Sequence, residues 1–207
     1  MPDLSRDYQN SAFIPDGDAY YPRWQAEAAA SLGRAVEARL AGMAADGVPF
    51  TGFLYAGLMI KDGQGRLVEY NARFGDPETQ VLMMRLGAQA LDLLLACAEG
   101  RLDKAQVNWA DDHAITVVMA AKGYPGAYQK GSVIHGLRRL PEDSRHMCFH
   151  AGTAEKDGHI VANGGRVLNI TARGDSLADA RNRAYAMLDH LNWPEGFCRS
   201  DIGWRAL

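Results

Sequence analysis

Cysteine is scarce in this chain of 207 residues, and the little there is does not pair by spacing. Cys97, Cys148 and Cys198 stand about fifty residues apart, an odd and scattered set that forms neither a disulfide framework nor a zinc motif. The expectation is reduced thiols in a cytoplasmic protein. Long apolar runs are also missing. The longest, "LDLLLACA" at 91–98, is too short to span a bilayer. The start, "MPDLSRDYQNSAF", lacks the basic and apolar regions of a signal peptide. There is no excess of positive charge: 22 Lys and Arg face 25 Asp and Glu, for a net charge of −3. Without a basic stripe, nucleic acid and membrane surfaces are excluded as expected partners. Internal repeats and low-complexity tracts are absent as well.

What is present suits a globular protein. Hydrophobic residues make up 47% and charged residues 23%, enough to bury a real core. The length fits one large domain or two small ones. Residues 1–24 are polar, aromatic and marked by Pro and Gly, and read as irregular. Residues 25–46 read as a helix, with Leu32, Val36, Leu40 and Met43 at three- or four-residue steps and Gly47 as the stop. "TGFLYAGLMI" and "RLVEYNARF" flank the Gly-rich "KDGQG" and predict a β-hairpin. "DPETQVLMMRL" opens a helix, with Asp76 as N-cap and Pro77 at the first helical position. "ALDLLLACAEG" is a second short helix ending at Gly100.

The pattern changes near residue 108. "HAITVVMAA" reads as a strand, and "KGYPGAYQKG" as a loop joining domains. "MCFHAGTAEKDGHIVANGGRVLNITA" reads as strands separated by Asp-Gly and Gly-Gly turns. "DSLADARNRAYAMLDHLNW" is an amphipathic helix over 176–191, with Ser176 and Asp179 as a capping box. Its apolar stripe is Leu177, Ala180, Ala184, Leu188 and Leu191. His146 and His150 lie in strand context, where four-residue spacing makes no helical face, and read as ordinary residues. Trp109, Trp193 and Trp204 read as packing anchors. The fold class is α+β.

One stretch is too polar for its place. In "VEYNARFGDPETQ", residues 68–80, strand alternation puts Leu67, Glu69, Asn71 and Arg73 on one face. Val68, Tyr70, Ala72 and Phe74 take the other, the expected core face. Mg²⁺ binds oxygen ligands, usually one or two protein groups plus substrate phosphates, and Glu69 and Asn71 suit that role. Arg73 suits a phosphate or carboxylate through its bidentate fork. Asp76 and Glu78, at the start of the next helix, would repel an anion and receive a substrate ammonium. The residues alone leave a second reading open: a solvated strand face followed by a helix cap.

The same run resembles the metal-binding strand of ATP-grasp enzymes, specifically the phosphoribosylamine–glycine ligase family. "FTGFLYAGLMI", "VVMAAKGYPGAYQKGSVIHGL", "FHAGT", "NGGRVLNITARGDSLADARNRAY" and the terminal "DIGWRAL" resemble that family in the same order, over about residues 26–207. The resemblance implies the C-terminal half of an ATP-grasp domain over 25–107. After it comes a small α+β C-terminal domain over 108–207, rudiment single hybrid-like. It implies ATP-driven joining of glycine to 5-phosphoribosylamine through glycyl phosphate, in de novo purine synthesis. Glu69 and Asn71 match the Mg²⁺ or Mn²⁺ ligands, Arg73 would stabilise the transferring phosphoryl group, and Asp76 and Glu78 would shape the substrate end. Family members extend further at the N-terminus, with a first domain and an ATP lid. Where a Gly-rich segment is expected here, "AYYPRW" stands instead. A separate N-terminal half is therefore an implied partner. An alternative of another class is a non-catalytic interaction module whose apolar surface needs a partner.

Overall fold

The computed structural model describes residues 36–61 and 64–207. The irregular reading of 1–24, the first part of the helix over 25–46 with Leu32, and the tip of the "KDGQG" turn lie outside the described residues. Helices and strands are mixed, and the fold class is α+β. The described residues fall into two compact units. One contains 36–75 and Ala88–Val107. The other contains Asp76–Gly87 and Asn108–Leu207.

In the first unit, residues 36–45 form helix α1, and Gly47 at φ 78° ends its last turn. Strands β1 (Tyr55–Lys61) and β2 (Gln64–Asn71) pair antiparallel as a hairpin. The register shifts in the middle: Gly57 opposes Glu69, but Leu58 opposes Leu67, so Val68 is an extra residue in β2. This bulge breaks the alternation expected along the strand. Val68, predicted on the core face, is 43% exposed, and Leu67 is 45% exposed. The strand also stops at Asn71, so Ala72 and Arg73 lie in a bend rather than a continued ladder. Of the predicted core face, Tyr70 and Phe74 are the half-buried members. Arg39 of α1 lies over the Tyr70 ring, and Phe74 stacks on Phe53 at 3.9 Å. Helix α3 (Gln89–Ala98) follows with the predicted stop at Gly100. It buries Ala96 and Cys97, while Leu91, Leu94 and Leu95 are exposed.

The second unit is built on a four-stranded antiparallel sheet. β3 (His113–Ala121), β4 (His146–His150), β7 (Arg166–Gly174) and β8 (Gly196–Phe197) lie in the order β4-β7-β3-β8. A separate hairpin joins β5 (Thr153–Lys156) to β6 (His159–Ala162). Its turn carries Asp157 at φ 52° and Gly158 at φ 74°, the positive-φ pair that the Asp-Gly signal predicts. β7 is central and buried along most of its length. Alternation puts Leu168, Ile170 and Ala172 on one face and Val167, Asn169 and Thr171 on the other.

Helix α4 (Leu177–Leu188) packs on β3 and β7. Ala180 and Ala184 let it approach Ile115, Val117 and Ala172 closely, and Met187 joins Leu168 and Ile170 in the larger core. Ser176 caps it as expected, accepting from the Asp179 backbone N–H at 3.1 Å. Asp179 closes the motif one residue early, accepting from the Asp175 N–H. Helix α2 (Glu78–Leu86) packs against β3 and β7 as well.

Three local expectations are corrected. The loop "KGYPGAYQKG" does not join domains. It folds back within the second unit, where Ala121 N–H donates to Gly165 O and Gly131 N–H to Ala162 O. The Tyr124 ring lies so close to Gly165 that any Cβ there would sit 2.2 Å from it. The Gly-Gly corner is thus a packing requirement as well as a turn. Trp193 is an anchor, 5% exposed and donating to Ser132 Oγ, but Trp204 is 55% exposed in a short terminal turn. The helix predicted to begin at Asp76-Pro77 begins at Glu78, with no side-chain cap. Asp76 is engaged elsewhere.

Candidate functional site

The polar face of β2 ends in a linked row within the first unit. Asn71 Nδ2 donates to Glu69 Oε1 at 3.1 Å, and an Arg73 terminal nitrogen donates to Asn71 Oδ1 at 3.2 Å. The other Arg73 terminal nitrogen donates to Phe74 O at 2.9 Å. Glu69 and Asn71 lie beyond the bulge, two residues apart, so their side chains leave the same face. Gly57, opposite Glu69, matters here: a Cβ would sit 3.0 Å from Glu69 Cγ. The glycine leaves room for the carboxylate to lie over the hairpin. Glu69 and Arg73 are exposed and Asn71 is half-buried. Carboxylate and amide oxygens are hard ligands, and the bend brings a guanidinium against the amide oxygen. The donor set fits a small divalent cation that completes its shell with water or phosphate oxygens. No group of three His, Cys, Asp or Glu that could hold a metal occurs among the described residues.

Asp76 and Glu78 belong to the second unit. Asp76 Oδ2 pairs with Arg166 Nε at 3.0 Å. Its Oδ1 accepts from Asn169 Nδ2 at 3.1 Å and from Gln80 Nε2 at 3.4 Å. A carboxylate held by one cationic and two neutral donors is fixed in position. These partners explain why it does not cap α2. Glu78 Oε1 is buried and accepts no hydrogen bond from the described residues, and the same is true of Gln80 Oε1 and Asn169 Oδ1. Further along α2, the Arg85 guanidinium is buried, donates to Ala110 O and lies over the Trp109 ring. Burial lowers its pKa, opposed by the charge of Asp112.

Sequence reasoning missed Asn169, Arg166 and Gln80. One signal was available. In "RVLNITA", Asn169 is the amide of a strand otherwise apolar enough to be buried on both faces, and a buried amide requires a partner. Which partner it finds, 93 positions away, is not written in local pattern.

Comparison with known proteins places the chain among ATP-grasp ligases first. Residues 22–79 match the ATP-grasp (A) domain of phosphoribosylglycinamide synthetase. Residues 114–205 match the C domain of the same synthetase. The chain is 56% identical over 172 residues to phosphoribosylamine–glycine ligase of Brucella melitensis, covering 83% of this chain and 40% of that protein. It is 51% identical over 168 residues to the Escherichia coli K12 enzyme of that name, covering 80% of this chain and 39% of that protein. The crystal structure of phosphoribosylamine–glycine ligase from Thermotoga maritima superposes with a TM-score of 0.74 at 34% identity, covering 89% of this chain and 44% of that one. The chain belongs to the phosphoribosylamine–glycine ligase family. It spans about 40% of the length of the curated relatives it matches. Among the described residues no single helix is long and apolar enough to cross a membrane.

Proposed function

We propose that this chain carries the metal-binding and phosphoryl-handling part of a phosphoribosylamine–glycine ligase, acting in the cytoplasm in purine biosynthesis. The reaction is ATP + glycine + 5-phosphoribosylamine to glycinamide ribonucleotide, ADP and phosphate. The observation that carries the reading is the linked row Glu69–Asn71–Arg73, which lies inside the stretch matched to the ATP-grasp domain.

Glu69 and Asn71 would hold Mg²⁺ or Mn²⁺, which when bound neutralises charge on the phosphates. In the structure Asn71 turns its amide nitrogen to Glu69 and its oxygen to Arg73. Serving a shared cation therefore requires the amide to turn over, which frees an Arg73 nitrogen. Arg73 would then meet the phosphoryl oxygens, where charge develops as the glycine carboxylate accepts the γ-phosphoryl group. Asp76 and Glu78 would face the substrate amine that displaces phosphate. The domain boundary near residue 108 is part of the same proposal.

Two ligands from one strand leave a hard cation mostly hydrated, so tight metal binding waits for nucleotide phosphates held by other parts of the site. The test measures phosphate release from ATP, with glycine and freshly made phosphoribosylamine. It is run on the chain alone and with a polypeptide matching the remaining length of the relatives. Turnover only on adding that polypeptide is expected, and full turnover by the chain alone would overturn this division of labour. Glu69→Ala should abolish metal-dependent turnover in the combined sample while leaving the melting temperature of the chain unchanged. A second reading, a non-catalytic interaction module, draws on the exposed Leu91, Leu94 and Leu95 of α3. It predicts no turnover in either sample.

A further inference from the structure

Helix α2 is a short piece set into the second unit. The whole of Ala88–Val107, which belongs to the other unit, separates it in the chain from the sheet it lies on. Its buried apolar residues are Val81 and Met84. Apolar contact is non-directional, so it does not by itself fix how far the helix slides along β3 and β7. Directional contacts lie at the two ends. Asp76, just before α2, is held by Arg166 and Asn169. Arg85, in the last turn, is bound to Ala110 both ways. Its Nη2 donates to Ala110 O, and its own carbonyl accepts from Ala110 N–H at 3.3 Å. The guanidinium is 6% exposed and lies over the Trp109 ring at 5.6 Å. Asp112 is the strongest opposite charge acting on it, and is itself held by Arg173 Nε of β7 at 2.7 Å. Arg85 Nε and Nη1 are buried and donate to nothing among the described residues, and the buried Asp112 Oδ1 accepts nothing from them. A buried cation with two idle nitrogens is a costly filler where an apolar side chain of similar length would fit. What it supplies beyond filling is direction: one carbonyl, met at one register. Glu78 and Arg85 stand seven residues apart, two helical turns, on the same face as Val81. A slip of one residue along the sheet would move Glu78 by about 1.5 Å and turn it by about 100°.

We infer that Arg85 is a positioning residue for the proposed ligase reaction, fixing the register of α2 on the sheet and, through it, the place of Glu78. This rests on the ligase reading, in which Glu78 faces the substrate amine, and extends it to the far end of the helix. Arg85 touches no substrate and acts through α2. A misplacement of about 1 Å at a reacting centre lowers the rate about a hundredfold, so loss of register falls on turnover more than on stability.

The test separates register from stability. Arg85→Met keeps most of the side chain's length and removes its donors, and Arg85→Lys returns a donor without the fork. In the ¹⁵N-labelled chain, the side-chain amide resonance of Asn169 reports its bond to Asp76, at the opposite end of α2 from the substitution. Arg85→Met should shift that resonance while leaving the urea midpoint little changed. In the combined sample, phosphate release should fall about ten- to a hundredfold in Arg85→Met, mostly in kcat. Arg85→Lys should lie between that variant and the wild type in both readouts. It decides alone if Arg85→Met does not fold, and wild-type values in it would then overturn the role. An unmoved Asn169 resonance in Arg85→Met, or a loss of turnover no larger than the loss of folded protein, would overturn it as well. Without turnover by the wild type the ligase reading fails, and the Asn169 resonance still decides the register, so the two failures are distinguishable.

Discussion

The second unit hides its apolar side chains, and the first displays them. Of the eleven large hydrophobic residues exposed among the described residues, eight belong to 36–75 and Ala88–Val107, and Phe197, Trp204 and Leu207 are the three in the other unit. Buried residues show the reverse distribution. The sheet of the second unit encloses Val117, Val167, Leu168, Ile170 and Met187 almost completely, whereas among the described residues of the first unit Ala96 and Cys97 are the only buried apolar ones. The unit with a closed core orients donors and acceptors through long-range contacts, as at Asp76. The unit with the open surface presents its candidate ligands on a hairpin end, held by one another.

Matched truncations probe the contrast most strongly. Leu168→Ala should cost about 2–5 kcal/mol in urea denaturation followed by Trp193 fluorescence, because Leu168 is fully enclosed. Leu91→Ala, at a residue 71% exposed, should stay within about 0.5 kcal/mol. Equal costs would break the comparison. Ser176→Ala removes the cap of α4 and should cost about 1 kcal/mol, seen as a lower urea midpoint of the second unit.

The thiols sharpen the same contrast. Burial pushes Cys148 up to about 12, so at pH 8 it is almost entirely thiol and unreactive while the second unit is folded. Cys97, in the first unit, should be labelled by a disulfide reagent well before Cys148, because opening is easier where few contacts are buried. Simultaneous labelling of the two would contradict this.

The smallest effect is in acid. The Arg183 guanidinium holds Asp179 below its ordinary value of 3.8, and the Arg199 guanidinium does the same for Asp201. A backbone N–H from Arg145 and the His146 side chain lower Asp143. A carboxylate depressed in the folded state stabilises it above the unfolded value and loses that contribution as pH falls through the folded one. The urea midpoint of the second unit should therefore decline as pH drops below about 3.8, modestly because all three groups face solvent. Asp179→Asn should flatten part of that decline.

Much of the second unit was legible because its signals are local. Ser176 announces α4, Asp157-Gly158 announces the β5–β6 turn, and the run from Ile115 to Ala121 announces a buried strand. Glu69, Asn71 and Arg73 stood out for the same reason: three polar groups at two-residue steps beside apolar neighbours. What could not be read depends on a partner elsewhere in the chain. The bulge at Val68 exists only in register with β1, so the sequence predicted a core face where the structure has exposed side chains. The Asp-Pro pair looked like a helix cap because its competitors, Arg166 and Asn169, lie far along the chain.

The grouping of α2 with the later sheet has a practical corollary for anyone moving pieces of this family between genes. The second unit is not one continuous stretch: it takes Asp76–Gly87, yields Ala88–Val107 to the other unit, and resumes at Asn108. A gene cut at codon 108 would carry away the sheet and α4 but leave behind the helix that lies on β3 and β7, and with it the carboxylate that Asn169 and Arg166 hold. A cut at codon 76 would instead keep that helix and its carboxylate with the sheet, and α3 would travel as a passenger.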